Sequence, residues 1–202
     1  RIFRRHIKLN VFPESILIFL YNCQCMIMSM CFIFAAEIKR NFTHKNNTAL
    51  NKMKKNLFEK ETVQEIISRV ENLNQESKIL WGEMNATEML HHCNLANLQI
   101  LHENQKPQKT KFKQYLIRFL SLYVVPNFPK NLKGSPLNDT KGKIDLNKFE
   151  EEKKKFIAIV SEFPQKKDPV KLMHPSFGYS NTKQWGKAAW MHMDHHLRQF
   201  GV

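Results

Sequence analysis

This chain has few cysteines, no glycine-rich phosphate loop and a deficit of acidic residues. Four cysteines occur in 202 residues, and Cys23, Cys25 and Cys31 all fall in one N-terminal apolar run, leaving Cys93 alone in the remainder. A single thiol closes no disulfide inside a domain, which suits a reducing compartment. Cys23 and Cys25 have no second pair of ligands nearby in sequence, so a metal site there is not expected. The six glycines are scattered, and none builds a phosphate-cradling loop. Neither a convincing strand nor an internal repeat is visible. Acidic residues number 18 against 32 Lys and Arg, for a formal net charge of +14. Such an excess raises nucleic acid or anionic lipid as partners. However, many of the lysines alternate with glutamates, as over 54–61 and 150–155, which is the pattern of a solvated helix surface. No base-reading motif accompanies the charge, and nucleic acid is therefore not expected as a partner.

The first 52 residues differ from the rest. They hold Arg1, Arg4, Arg5 and Lys8 as a basic head, then an uncharged run over 15–36 that is long enough to cross a bilayer at ~1.5 Å per helical residue. Three readings compete for this extension: a secretory signal, a membrane anchor, or a mis-called start upstream of Met53. A membrane partner follows only if 15–36 is a genuine segment. The domain proper is placed at 53–202. It would be cytoplasmic if the chain starts near Met53, and membrane-associated or exported otherwise.

Within the domain the apolar residues recur with helical period. Val63, Ile66, Ile67, Val70 and Leu73 mark a first helix over about 59–73. Asn85 and Glu88 form a capping-box signature ahead of a second helix over 86–103, with Met89, Cys93, Ala96 and Ile100 on one stripe. A third helix, rich in Phe, Tyr and Leu, is expected over 112–125 and is stopped by Pro126. Residues 127–143 carry two prolines and two glycines without periodicity, a long loop of the kind that borders sites. A fourth helix should run from a cap at Asp145 or Asn147 to about Phe163. The last begins at an Asn181 cap, with Gln184 completing the box, and ends at Gly201 in a left-handed C-cap. The domain is expected to be all-α, a bundle of four main helices with an extra short helix or long loop.

The closing helix carries the chemistry. His192 and His196 are spaced i, i+4, so their rings leave one face a turn apart. Trp185, Ala189, His192, His196 and Gln199 follow the 4-3-4-3 spacing of a core-facing stripe. His92, flanking the apolar stripe of the second helix, can complete a set of three imidazoles. Three protein ligands and one open position are the pattern of a catalytic zinc site, and nitrogen donors also suit nickel, iron or copper. Glu88, one turn before His92, is a candidate general base for a bound water, or a helix-cap carboxylate. Gln199 is a candidate orienting amide. His195 is off-phase, either exposed or supporting. Asp194 is read as a surface residue, His174 as the shaper of a turn or the mouth of a pocket, and Cys93 as a small buried apolar residue. The competing reading leaves the histidine pair on the surface and makes His92 an ordinary core histidine.

The residues 81–93 (WGEMNATEMLHHC), 174–178 (HPSFG), Trp185 and 192–200 (HMDHHLRQF) together resemble the DinB-like (DinB/YfiT) superfamily, in particular a bacterial branch of undefined function. The resemblance covers about 56–202. It implies a four-helix bundle of up-down-down-up arrangement, with a divalent metal, zinc or nickel foremost, held by His92, His192 and His196. It further implies a small-molecule substrate, a low-molecular-weight thiol as possible cosubstrate, an S-transferase or hydrolase chemistry, and a homodimer. A shared fold does not select among these reactions. The alternative is a noncatalytic, metal-stabilised helical binding or stress-response module.

Overall fold

The computed structural model describes residues 55–106, 108–130 and 138–202. The extension over 1–52, its apolar run included, and positions 131–137 of the long loop lie outside the described residues.

The described chain is mostly helical. Five α-helices follow in order: α1 Lys60–Glu71, α2 Ala86–His102, α3 Phe112–Phe119, α4 Phe149–Glu162 and α5 Thr182–Gln199. A π-helical turn, Leu120–Val124, continues α3, and single 3-10 turns precede and follow α4. No strand is expected from the sequence. The structure nevertheless has a two-stranded antiparallel hairpin, β1 Met173–His174 and β2 Gly178–Tyr179, with His174 opposite Gly178. Two residues per strand are too few to show alternation, which is why sequence patterning misses it.

The caps form as the sequence predicts. Asn85 accepts from the Glu88 backbone N–H while the Glu88 carboxylate accepts from that of Asn85, and Asn181 and Gln184 do the same for α5. At the other end of α5, Gly201 takes φ +76°, a conformation costly for any residue with a Cβ. It lets Val202 N–H reach back to the Leu197 carbonyl and Gly201 N–H to that of Arg198, closing a Schellman motif.

α2 packs along α4, and α1 lies against both α4 and α5. Between them sits one apolar cluster in which Ile66, Val70, Met89, Leu90, Phe149, Phe156, Phe163, Trp190, Met193 and Leu197 are buried. Each such side chain contributes about 1.5–3 kcal/mol by leaving water. α5 is buried on nearly all sides rather than along one stripe. Its polar residues are therefore inside, and each needs a partner.

Asp194 illustrates this. A surface residue by its place in the sequence, it is instead 3% exposed, because α5 has α1 on that side. Its carboxylate accepts from Arg69 Nη1 of α1 at 2.9 Å and from Arg198 Nε at 2.8 Å. Arg69 also donates to the Val202 carbonyl, tying the chain end to α1. A second buried carboxylate, Glu152 of α4, accepts from Asn94 and pairs with His91 of α2 at 3.0 Å. His91 thus turns toward α4, leaving its neighbour His92 to face α5.

Candidate metal centre

Three imidazoles meet where α2 crosses α5. His192 and His196 project from one face of α5, as their spacing requires, and His92 reaches them from α2. His92 Nε2 lies 2.9 Å from His192 Nε2, and His196 Nε2 lies 3.0 Å from the same atom. One ligand atom from each ring falls within 4.8 Å of the other two. His92 and His196 are buried, and His192 is half-buried. The inward direction that the sequence implies for these histidines agrees with this arrangement, and the surface alternative does not.

The far nitrogens decide which protons the rings carry. His92 Nδ1 sits 2.6 Å from the backbone carbonyl of Asn138, which can only accept, so this nitrogen must donate and Nε2 is left with a bare lone pair. His196 Nδ1 sits 2.7 Å from Gln199 Oε1, and the same logic bares its Nε2. Both lone pairs point at His192 Nε2. A proton there can satisfy one of the two lone pairs and leaves the other without a donor.

Charging the rings is no remedy, because burial and mutual repulsion hold them neutral. The His196 imidazole is pushed down to about 3, by burial first and then by the His92 charge. His192 is lowered well below the ordinary histidine range by burial and by its histidine neighbours, and His92 is lowered by burial. Three neutral imidazoles converging through bare nitrogens are the donor set a divalent cation takes. Tetrahedral zinc, bonded to nitrogen at about 2.0–2.1 Å, needs its ligand nitrogens roughly 3.3–3.4 Å apart, a few tenths of an ångström beyond the two separations seen here. The residues present fit such an ion.

The supporting contacts are as telling as the ligands. Gln199, a candidate orienting amide by its sequence position, is one turn below His196 and does contact it. Its own position is held by the backbone bond from Leu80 N–H to the Gln199 carbonyl. Gly82 lies against the same amide: with φ +100°, it would place a Cβ 2.5 Å from Gln199 Nε2. Asn138 is not among the residues the sequence points to. A backbone carbonyl has no sequence signature, and only the character of 127–143 as a site-bordering loop hints at it.

The remaining candidates fall outside the cluster. Both carboxylate oxygens of Glu88 are engaged by backbone N–H groups, of Asn85 at 2.9 Å and of Gly142 at 2.6 Å. It caps α2 and ties down the loop, the second of the two roles its position suggests. Cys93 is fully buried, its thiol pushed up by burial and near Met89 Sδ. His195 is also buried, its ring edge-on to Trp81 at 4.8 Å and at right angles to the His196 ring. Trp81 thus packs on α5.

His174 shapes its turn and also leans toward the site. Its Nδ1 accepts from the N–H groups of Ser176 and Phe177, which places its proton on Nε2. The ring is stacked on Phe177 at 3.9 Å and tilted against Trp185 of α5. Burial holds it neutral, near a pKa of about 4.

A protein family described as "Protein of unknown function (DUF1569)" matches residues 51–201. The chain belongs to this family. The match takes in all five helices and every residue of the histidine cluster. No curated protein and no solved structure matches the chain. Family membership therefore carries no assigned reaction, and the chemistry rests on the geometry of the DUF1569 domain itself.

Proposed function

We propose that this domain is a divalent-metal-dependent enzyme acting on a small electrophilic substrate, with His92, His192 and His196 as ligands. The observation that carries this reading is the pair of bare Nε2 lone pairs aimed at a third imidazole nitrogen. Bound there, a divalent ion would lower the pKa of a small thiol or of water and supply a nucleophile at neutral pH. The chain's own part is positional. Asn138 and Gln199 fix the ring tautomers, and the buried walls of α2 and α5 keep the rings dry and neutral. His192 is the least buried of the three rings and marks the side from which substrate would approach, and His174 presents an Nε2 donor on the hairpin that adjoins α5. Attack by thiol gives an S-transferase and attack by water a hydrolase. The helix order and the histidine placement suit the four-helix bundle of the DinB-like superfamily, on which this reading also draws.

Metal analysis tests the proposal. The purified chain reconstituted with zinc or nickel should hold about one ion per chain, and His192→Ala should hold almost none. Negligible metal in the unaltered protein would end this reading. A second reading, a noncatalytic module in which metal clamps α2 to α5, is favoured by the complete engagement of Glu88, since among the described residues no free carboxylate joins the cluster as a base. The two separate on turnover: the metal-loaded protein assayed with small thiols and electrophiles reacts in the first case and is inert in the second.

A further inference from the structure

α3 presents most of its apolar side chains to solvent. In a helix on the surface of a globular protein, apolar residues face the core and polar ones face water. Here the polar side chains bond inward. Gln114 donates to the Pro175 carbonyl at 3.0 Å, and Arg118 donates to the carbonyls of Phe177 and Tyr179. Ile117 packs inward against the core, but the other apolar side chains stand out in solvent: Phe112 is 84% exposed and Phe119 56%, with Tyr115, Leu116 and Tyr123 exposed beside them. These five follow i, i+3, i+4, i+7 and i+11 spacing, a single stripe that the π-helical turn carries past the end of α3. None of the eight residues of α3 is buried, so the stripe forms a ridge and not a groove. Tyr179, on the adjoining hairpin strand, is exposed as well.

Exposed Lys106, Lys109, Lys111 and Lys113 lead into and onto the ridge, and the sequence over 104–130 holds no Asp or Glu. An apolar aromatic ridge beside four lysines fits a partner that is apolar within and anionic at its surface.

We propose that α3 and its π-helical turn dock on the surface of an anionic lipid bilayer, with Phe112, Leu116 and Phe119 entering the acyl boundary and the flanking lysines at the headgroups. Aromatic rings settle at that boundary, lysine stems reach from apolar surroundings back to water, and anionic lipid adds about 1 kcal/mol per basic residue near the surface. A second copy of the chain fits less well, since a two-fold contact through this face would set four lysines against four. A protein partner would need a preformed hollow for the ridge, whereas a fluid bilayer deforms around it. No helix among the described residues is long and apolar enough to cross a membrane, so the contact is at the interface.

Vesicle flotation of the full chain tests this. The protein should float with vesicles of phosphatidylglycerol and phosphatidylcholine and stay behind with phosphatidylcholine alone, and salt raised from about 0.1 to about 0.5 M should release it. The double variant Phe112→Ser/Phe119→Ser, altered only at exposed positions, should melt with the unaltered protein and bind anionic vesicles at least roughly tenfold more weakly. Undiminished flotation of that variant would overturn the proposal and place any membrane contact elsewhere, residues 15–36 included. No flotation with anionic vesicles at low salt would do the same. So would light scattering in which the variant halves the mass of the protein, which would make the ridge an interface between copies.

Discussion

Replacing Gln199 by Leu removes the side-chain acceptor at His196 Nδ1, 2.7 Å away, while leaving the helix and its backbone bond to Leu80 in place. Two effects follow, and they have different readouts. The buried Nδ1–H loses its partner, at a cost of about 1–3 kcal/mol to folding. The His196 proton is also no longer held on Nδ1, so the tautomer with the proton on Nε2, which cannot bind a cation, becomes available. Loss of such an orienting contact lowers metal affinity by about 10–100-fold, or about 1.4–2.7 kcal/mol. Gln199→Glu keeps an acceptor at the same reach and should bind metal at least as tightly as the unaltered protein. A competition titration against a chromophoric zinc chelator measures affinity, and thermal melts of the metal-free protein measure the folding cost. If Gln199→Leu melts lower but binds metal as tightly as Gln199→Glu, the amide only fills space and the tautomer argument is wrong.

Acid should unfold the metal-free domain early. His174 and His195, both lowered to about 4, and His196, lowered to about 3, are held neutral chiefly by burial. Below the ordinary histidine range the unfolded chain takes up these protons and the folded chain does not. Their stabilisation is therefore complete above pH ~6.5 and drains away as pH falls from there toward 4 and 3. Denaturant midpoints at pH 7.5 and pH 5 should differ clearly, and equal midpoints would contradict the burial assigned to these rings. Asp194→Ala should leave Arg69 and Arg198 without a carboxylate they share at 2.9 and 2.8 Å, and should destabilise the domain by about 3 kcal/mol. A change below about 0.5 kcal/mol in urea unfolding would return Asp194 to the surface role its sequence suggests.

Several of these features are legible in the amino-acid sequence alone. Periodicity places α1, α2, α4 and α5 to within a few residues, because each has an apolar face and a polar cap whose chemistry is local. The i, i+4 histidine pair and the Gln199 beneath it follow from helix geometry, and so does their shared face. Where the sequence misleads, long-range packing is the cause. Asp194 reads as exposed because nothing near it in the chain announces Arg69, 125 residues away. The hairpin at His174 is too short to pattern, and the helix expected over 112–125 divides into the eight residues of α3 and a π-helical turn, with an apolar stripe whose outward facing no local signal announces.

The chain by itself determined which residues are helical and which side chains share a turn, since those depend on neighbours within about four positions. Only the tertiary structure decided that His92 meets His192 across 100 residues. It also decided that the Asn138 carbonyl bares one ring nitrogen and that the apolar stripe of α3 looks outward. Each of these is a relation between surfaces, and a surface acquires its facing only when another element packs against it.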